Sequence, residues 1–228
     1  MAAIVIGVMV SGCEYSETAS NPIARNLSWF DYVGGRGLKE ACGPGASNRF
    51  RFVYNGNYEE QIRTYDVHAP PNDRGAVVSV WVRGNGNLGQ GIKFPNLLSP
   101  WDGDRIDTHI DQRAFVDLRN ALKIDGFDGD RPTGLQMRAD DYYWVVTGCL
   151  GGRFYSNAWL YLSERFKALT FPEKLRAGDQ TGIKLRDAAT AKIYEDYPTR
   201  HRGGGRVSHY SFIIELDADG IVGDRYLF

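Results

Sequence analysis

Residues 141–162 read DYYWVVTGCLGGRFYSNAWLYL, two runs dense in aromatic and β-branched side chains on either side of Gly151-Gly152. This stretch constrains the fold more than any other. Such side chains pack well on a pleated surface, and a glycine pair between two runs of them marks a hairpin turn. The pattern therefore predicts two antiparallel strands, at 141–150 and 153–162. Successive side chains on a strand point to opposite faces. Tyr142 and Trp144 thus share one side and Tyr143 takes the other, and one of these sets must be core.

A second hairpin is expected around Asn55-Gly56. Phe50, Phe52 and Tyr54 alternate with Arg49, Arg51 and Val53 before it, and 61–67 alternates after it. Asn-Gly between alternating runs is the strongest short hairpin signal, because both turn residues must take positive φ. Residues 76–83, AVVSVWVR, predict a strand that is apolar on both faces and hence central. Near the end of the chain 210–216 alternates, Asp219-Gly220 supplies a turn, and 221–228 follows as a last strand.

Helical signals are sparser. Thr108, with Asp111 three residues on, makes a capping-box-like start. Ala114, Phe115, Leu118, Ala121 and Leu122 then recur on one helical face until Gly126. Shorter helices fit 38–42 and, opened by Pro172, 171–177. Leu185, Ala188, Ala189 and Ile193 also follow a helical spacing. The stretches 84–103, 125–138 and 199–206 read as loops. About seven strands and one main helix, near 108–122, predict an α+β fold: a single domain dominated by antiparallel β-sheet.

Charge and motifs narrow the function. Lys and Arg number 27 against 28 Asp and Glu, a formal net charge of −1, which argues against nucleic acid as a partner. Residues 84–89, GNGNLG, match G-x-G-x-x-G after a strand. A dinucleotide site needs a helix to begin there, and Gly91 and Pro95 prevent one. Asp102/Asp104/Asp107, Asp125/Asp128/Asp130 and Asp217/Asp219 lack the terminal glutamate of a calcium loop. His68, His109, His201 and His209 are scattered, without zinc-ligand spacing, and no G-x-S-x-G turn occurs. Asp140 and Asp141 precede a strand and read as solvated strand-end charges. No metal or other cofactor is expected.

Two surface features remain as binding candidates. Arg200, His201, Arg202 and Arg206, around three glycines, suit an anion such as phosphate or a lipid head group. Tyr142, Trp144, Tyr155 and Trp159, across the 141–162 hairpin, would form a sugar-stacking face if their side were exposed.

The N-terminus supplies an address. Residues 1–10, MAAIVIGVMV, are apolar and uncharged, and polar sequence begins at Glu14. A membrane-spanning helix needs about 20 apolar residues. Half that length suits the h-region of a secretory signal. Val10-Ser11-Gly12-Cys13 resembles the lipobox of bacterial lipoprotein signals. The resemblance implies cleavage before Cys13, acylation of that residue and attachment to a membrane. It divides the chain into a signal peptide at 1–12, a lipidated tether at 13–26 and one globular domain at 27–228. Val10 stands where leucine is commoner, and no basic residue precedes the apolar run; the expectation is a true start further upstream. Glu14 is not the aspartate that favours inner-membrane retention, which points to the outer membrane. YYWVVTGCLGGRFYSNAW and VYNGNYEEQIRTYDV, together with the lipobox, resemble uncharacterised proteobacterial lipoproteins of unknown function, a likeness that implies no activity.

With Cys13 assigned to lipid, Cys42 and Cys149 remain, an even pair in a compartment that permits disulfides. A bridge between them would pin the N-terminal segment to the sheet. The leading reading is an envelope lipoprotein serving as a non-enzymatic binding or scaffolding module, tethered to the membrane and meeting an envelope protein or a glycan. Two alternatives stand beside it: an envelope hydrolase whose Asp/His site assembles from distant segments, and a glycan-binding module using exposed aromatics.

Overall fold

The computed structural model describes residues 29–58, 60–70, 74–83, 104–190 and 212–223. Residues 29–33 are helical, followed by α1 (Arg36–Glu40), β1 (Arg49–Gly56), β2 (Ile62–His68), β3 (Ala76–Arg83) and β4 (Asp104–Ile110). Next come α2 (Gln112–Ile124), β5 (Leu135–Arg138), β6 (Tyr142–Leu150) and β7 (Arg153–Leu160). Two short helices, α3 (Glu164–Lys167) and α4 (Phe171–Gly178), precede β8 (Ile213–Asp217) and β9 (Gly220–Gly223).

Six strands pair antiparallel in the order β4-β3-β2-β1-β6-β7, and a smaller sheet has the order β5-β8-β9. β1 to β4 form a meander, and the β6–β7 hairpin adds to the other edge of β1. Register sorts the side chains. Phe52 lies opposite Tyr65 and Val146, and Val53 opposite Thr64 and Val145. The first set points to a face covered by α2 and α4, where Phe115, Leu118, Phe171 and Leu175 pack onto Phe50, Phe52 and Trp144. The second set points to the small sheet, where Val53, Tyr143 and Val145 meet Met137, Ile214 and Leu216, with Trp29 and Val33 alongside. The result is one α+β domain of three layers dominated by antiparallel sheet. β6 lies in the middle layer and is buried at every position before Leu150, which is why its sequence is apolar on both faces. Each large side chain buried there contributes about 1.5–3 kcal/mol.

The hairpin expected at Gly151-Gly152 is present, with φ of 59° and 78° at the two glycines. Around Asn55-Gly56 the structure differs. Both residues stay within β1, and the positive φ falls on Asn57, at 62°. Asn55 is fully buried, and its Nδ2 donates to the Ala139 and Asp141 carbonyls. Asp141 is likewise no solvated strand end: it is 3% exposed and accepts the Arg138 N–H at 2.8 Å. Packing of β5 and the β1–β2 loop over this corner removes both residues from water.

The main helix begins later than its capping pattern implied. Thr108 belongs to β4, opposite Val78, and Asp111 is the cap, accepting the Ala114 N–H at 2.8 Å. The strands β4 and β5 occupy stretches read from the sequence as helix start and loop. The G-x-G-x-x-G match at 84–89 lies outside the described residues.

Candidate functional site

Buried charge here ties distant segments together. Arg63 and Asp179, with side chains 2% and 4% exposed, form an ion pair of 2.6 Å. The same Asp179 oxygen accepts the Tyr65 hydroxyl at 2.9 Å, and its other oxygen accepts from Thr181 N–H and Oγ1–H. Arg63 also donates to the Ile183 carbonyl at 2.6 Å. Gln61 donates to the Lys184 carbonyl and accepts the Arg186 N–H. Segment 179–187 is thereby fastened across the sheet. Burial pushes the Tyr65 phenol up, against the opposing pull of Arg63.

On the other face Arg51 stacks over the Tyr32 ring, 3.5 Å from its centroid, and grips Asp66 through Nε at 2.6 Å and Nη2 at 3.1 Å. Burial, reinforced by Asp66, raises the Tyr32 phenol to about 12. This clamp holds the N-terminal helical segment on β1 and β2. Just past that segment, Cys42 and Cys149 sit at disulfide distance, with Cα atoms 5.5 Å apart.

Beyond the clamp, the same face of β2–β4 is half open. Its cross-strand rows are His68-Val77-His109, Asp66-Ser79-Asp107 and Thr64-Trp81-Arg105. Arg105 donates to Ser79 Oγ and to Asp107, each at 3.4 Å. Hydrogen bonding from Ser79, with Arg105 beside it, holds the Asp107 carboxyl below the usual range. His68 and His109 stand two strand spacings apart, about 9.5 Å, with Val77 between them. Among the described residues no group of three His, Cys, Asp or Glu side chains converges as a metal site. The half-buried Trp81 ring already carries the Arg83 guanidinium, 4.2 Å from its centroid.

A concave site lies elsewhere. A cleft of about 370 Å³ opens between the C-terminal half of α2 and the β6–β7 turn. Phe50, Leu122, Phe127 and Leu150 line its apolar floor. The rim carries Arg119, Asn120 and Lys123 from α2, with Asp128, Asn48 and Gly151 around them. Asn48 Oδ1 accepts the Gly151 N–H at 3.0 Å, which fixes that wall. The volume falls at the low end of the range of small-molecule sites, and the lining mixes polar and apolar groups in about equal measure.

The binding candidates from the sequence fare unevenly. Cys13, and the loop residues Arg200, His201, Arg202 and Arg206, lie outside the described residues. The aromatic face is corrected. Tyr142, Trp144 and Trp159 are 1%, 2% and 1% exposed, because α4 and its neighbours cover that side; Trp144 and Trp159 meet Phe171 at 5.2 and 5.5 Å. Tyr155 is half-buried against Phe127. Asp125, weighed as a calcium ligand, instead accepts the Thr170 and Phe171 N–H groups at 2.8 Å and orients the start of α4. The cleft went unread in the sequence. Arg119 and Lys123 have the spacing of a solvated helix face, and nothing local says that a strand end stands beside them.

No helix among the described residues is long and apolar enough to cross a membrane. Compared with protein-family models, curated proteins and solved structures, the chain finds no match.

Proposed function

We propose that this chain is an envelope lipoprotein, a binding module held to a membrane by lipid on Cys13, with the α2 cleft as its ligand site. The observation that carries the address is the Cys42–Cys149 pair at disulfide distance, 107 residues apart in sequence. Disulfides persist in oxidising compartments and are rare in the cytosol. A bridge here would fix the segment that follows the tether, where any pull from an anchored N-terminus arrives. The lipobox-like tetrad Val10-Ser11-Gly12-Cys13 supplies the matching route of export. The binding role draws on the cleft, a preformed concavity with an apolar floor and a charged rim. Intact mass spectrometry of the protein from its own envelope tests this reading. The expected species begins at an acylated Cys13 and carries one Cys42–Cys149 linkage. A chain that retains residues 1–12, with both later thiols free to alkylate, would contradict it.

A second reading, an envelope hydrolase, draws on the β3–β4 face, where Ser79, Asp107 and His109 occupy adjacent rows. Ester hydrolysis by wild type that is abolished in His109→Ala would favour it.

A further inference from the structure

The cleft has a chemical polarity that points to one class of ligand. Its floor is the half-buried Leu150, backed by the almost fully buried Leu122 and Phe127, while one side of its rim carries Arg119 and Lys123, four residues apart on α2. Residues at that spacing stand side by side on a helix. The one carboxylate lining it, Asp128, leaves the cleft with a net positive charge, although the whole chain is formally −1. Attraction for an anion here would therefore be local and not a consequence of overall charge.

We infer that the cleft binds a small organic anion, its acidic head seated at Arg119 and Lys123 and its apolar body lying over Leu150. This rests on the binding-module reading and adds the ligand's chemical class. Arginine presents a planar fork of N–H groups that matches a carboxylate or a phosphate, and lysine adds a point charge. Hydrogen bonds of this charge-assisted kind are roughly twice as strong as neutral ones. Arg119 also lies 5.7 Å from the Phe115 ring, a contact that restrains its side chain along the rim. Size sets the other bound. At about 30 Å³ for each water-sized group, a volume of about 370 Å³ accommodates roughly a dozen heavy atoms. A whole phospholipid exceeds that; an eight-carbon amphiphile fits.

The test uses the full chain as Cys13→Ser, which carries no acyl group of its own, so the result is independent of the anchor. Amide NMR spectra are recorded during titration with octanoate, octyl phosphate, octylammonium, acetate and octanol. Octanoate and octyl phosphate are expected to shift Gly151, Asn120 and Lys123 saturably, and the other three probes at matched concentration are not. Arg119→Ala is expected to weaken octanoate at least tenfold, and Arg113→Ala, on the exposed side of the same helix, to leave it unchanged. Lys123→Gln, at an exposed position, repeats the test should Arg119→Ala lower the melting temperature. Octanoate binding no better than acetate, or octylammonium binding equally well, overturns the assignment. Phospholipid vesicles are expected to leave the octanoate shifts in place; displacement by vesicles would transfer the site to a lipid head group and overturn the free-ligand assignment.

Discussion

Arg63 and Asp179 form a deeply buried ion pair outside the apolar core. An ion pair this deep gains little over a well-packed apolar pair, because desolvation offsets the attraction, but removing one partner strands a charge at a cost of about 3–5 kcal/mol. Asp179→Leu is therefore expected to destabilise the protein by about that amount in urea titration. The double variant Arg63→Met/Asp179→Leu should recover a substantial part of the loss; equal losses in the single and double variants would show that the pair acts only through packing. Tyrosines report on the same burial. Tyr32 is raised to about 12, and burial also holds Tyr54, Tyr65 and Tyr143 above the usual phenol range. A phenol whose folded pKa is raised contributes stability in full below the unfolded value near 10, and that contribution is lost as pH rises through the folded value. These four should stay protonated at about pH 11 and ionise only as the protein unfolds, read by absorbance at about 295 nm. Reversible ionisation of all 13 tyrosines near pH 10 with the fold retained would contradict this. None of these burials was visible at single residues: Asp141 and Asn55 look like strand-end and turn residues until β5 is placed against them.

Elements were legible where local pattern and tertiary packing agree. The β6–β7 hairpin is the clearest case, since both its strands and its Gly151-Gly152 turn carry their own signals. β4, DRIDTHI, has a polar residue at every second position and becomes a strand by pairing with β3, so its sequence reads equally well as the approach to a helix. The turn glycines are not equivalent. A Cβ on Gly152 would lie 2.7 Å from the Gly43 carbonyl oxygen, whereas one on Gly151 meets nothing within 4 Å. Gly152→Ala is expected to destabilise the domain by about 1–3 kcal/mol through strain at positive φ together with that clash. Gly151→Asn, in a conformation that asparagine tolerates, should cost well under half as much. Thermal melts of the two variants decide it, and equal melting temperatures would show that the turn relaxes freely. The cleft illustrates the opposite limit. Arg119 and Lys123 belong to α2, but the wall facing them comes from residues around Asn48 and Gly151, and no local pattern announces that meeting.

At the scale of the whole molecule, the fold class followed from strand patterns spread along the chain, whereas the three-layer arrangement did not, because the sequence left one face of the 141–150 strand open and packing covers both. The proposed address rests on sequence alone, on the lipobox-like Val10-Ser11-Gly12-Cys13. The first described residues, from Trp29, already pack on the sheet through the Trp29 and Tyr32 contacts. The Cys42–Cys149 pair bears on the same question. In the chain-entropy model, linking residues about 100 apart stabilises by about 4.7 kcal/mol, so Cys42→Ala/Cys149→Ala should unfold at markedly lower urea concentration, and wild type should match it after reduction. An unchanged midpoint in both would remove the bridge from the account. The most direct measurement concerns Cys13 itself. Cells expressing wild type or Cys13→Ser are labelled with palmitate and fractionated. Wild type is predicted to take up label and sediment with membranes, and Cys13→Ser to carry no label and remain in the soluble envelope fraction. An unlabelled wild type that sediments no differently from Cys13→Ser would contradict the lipid-anchored reading.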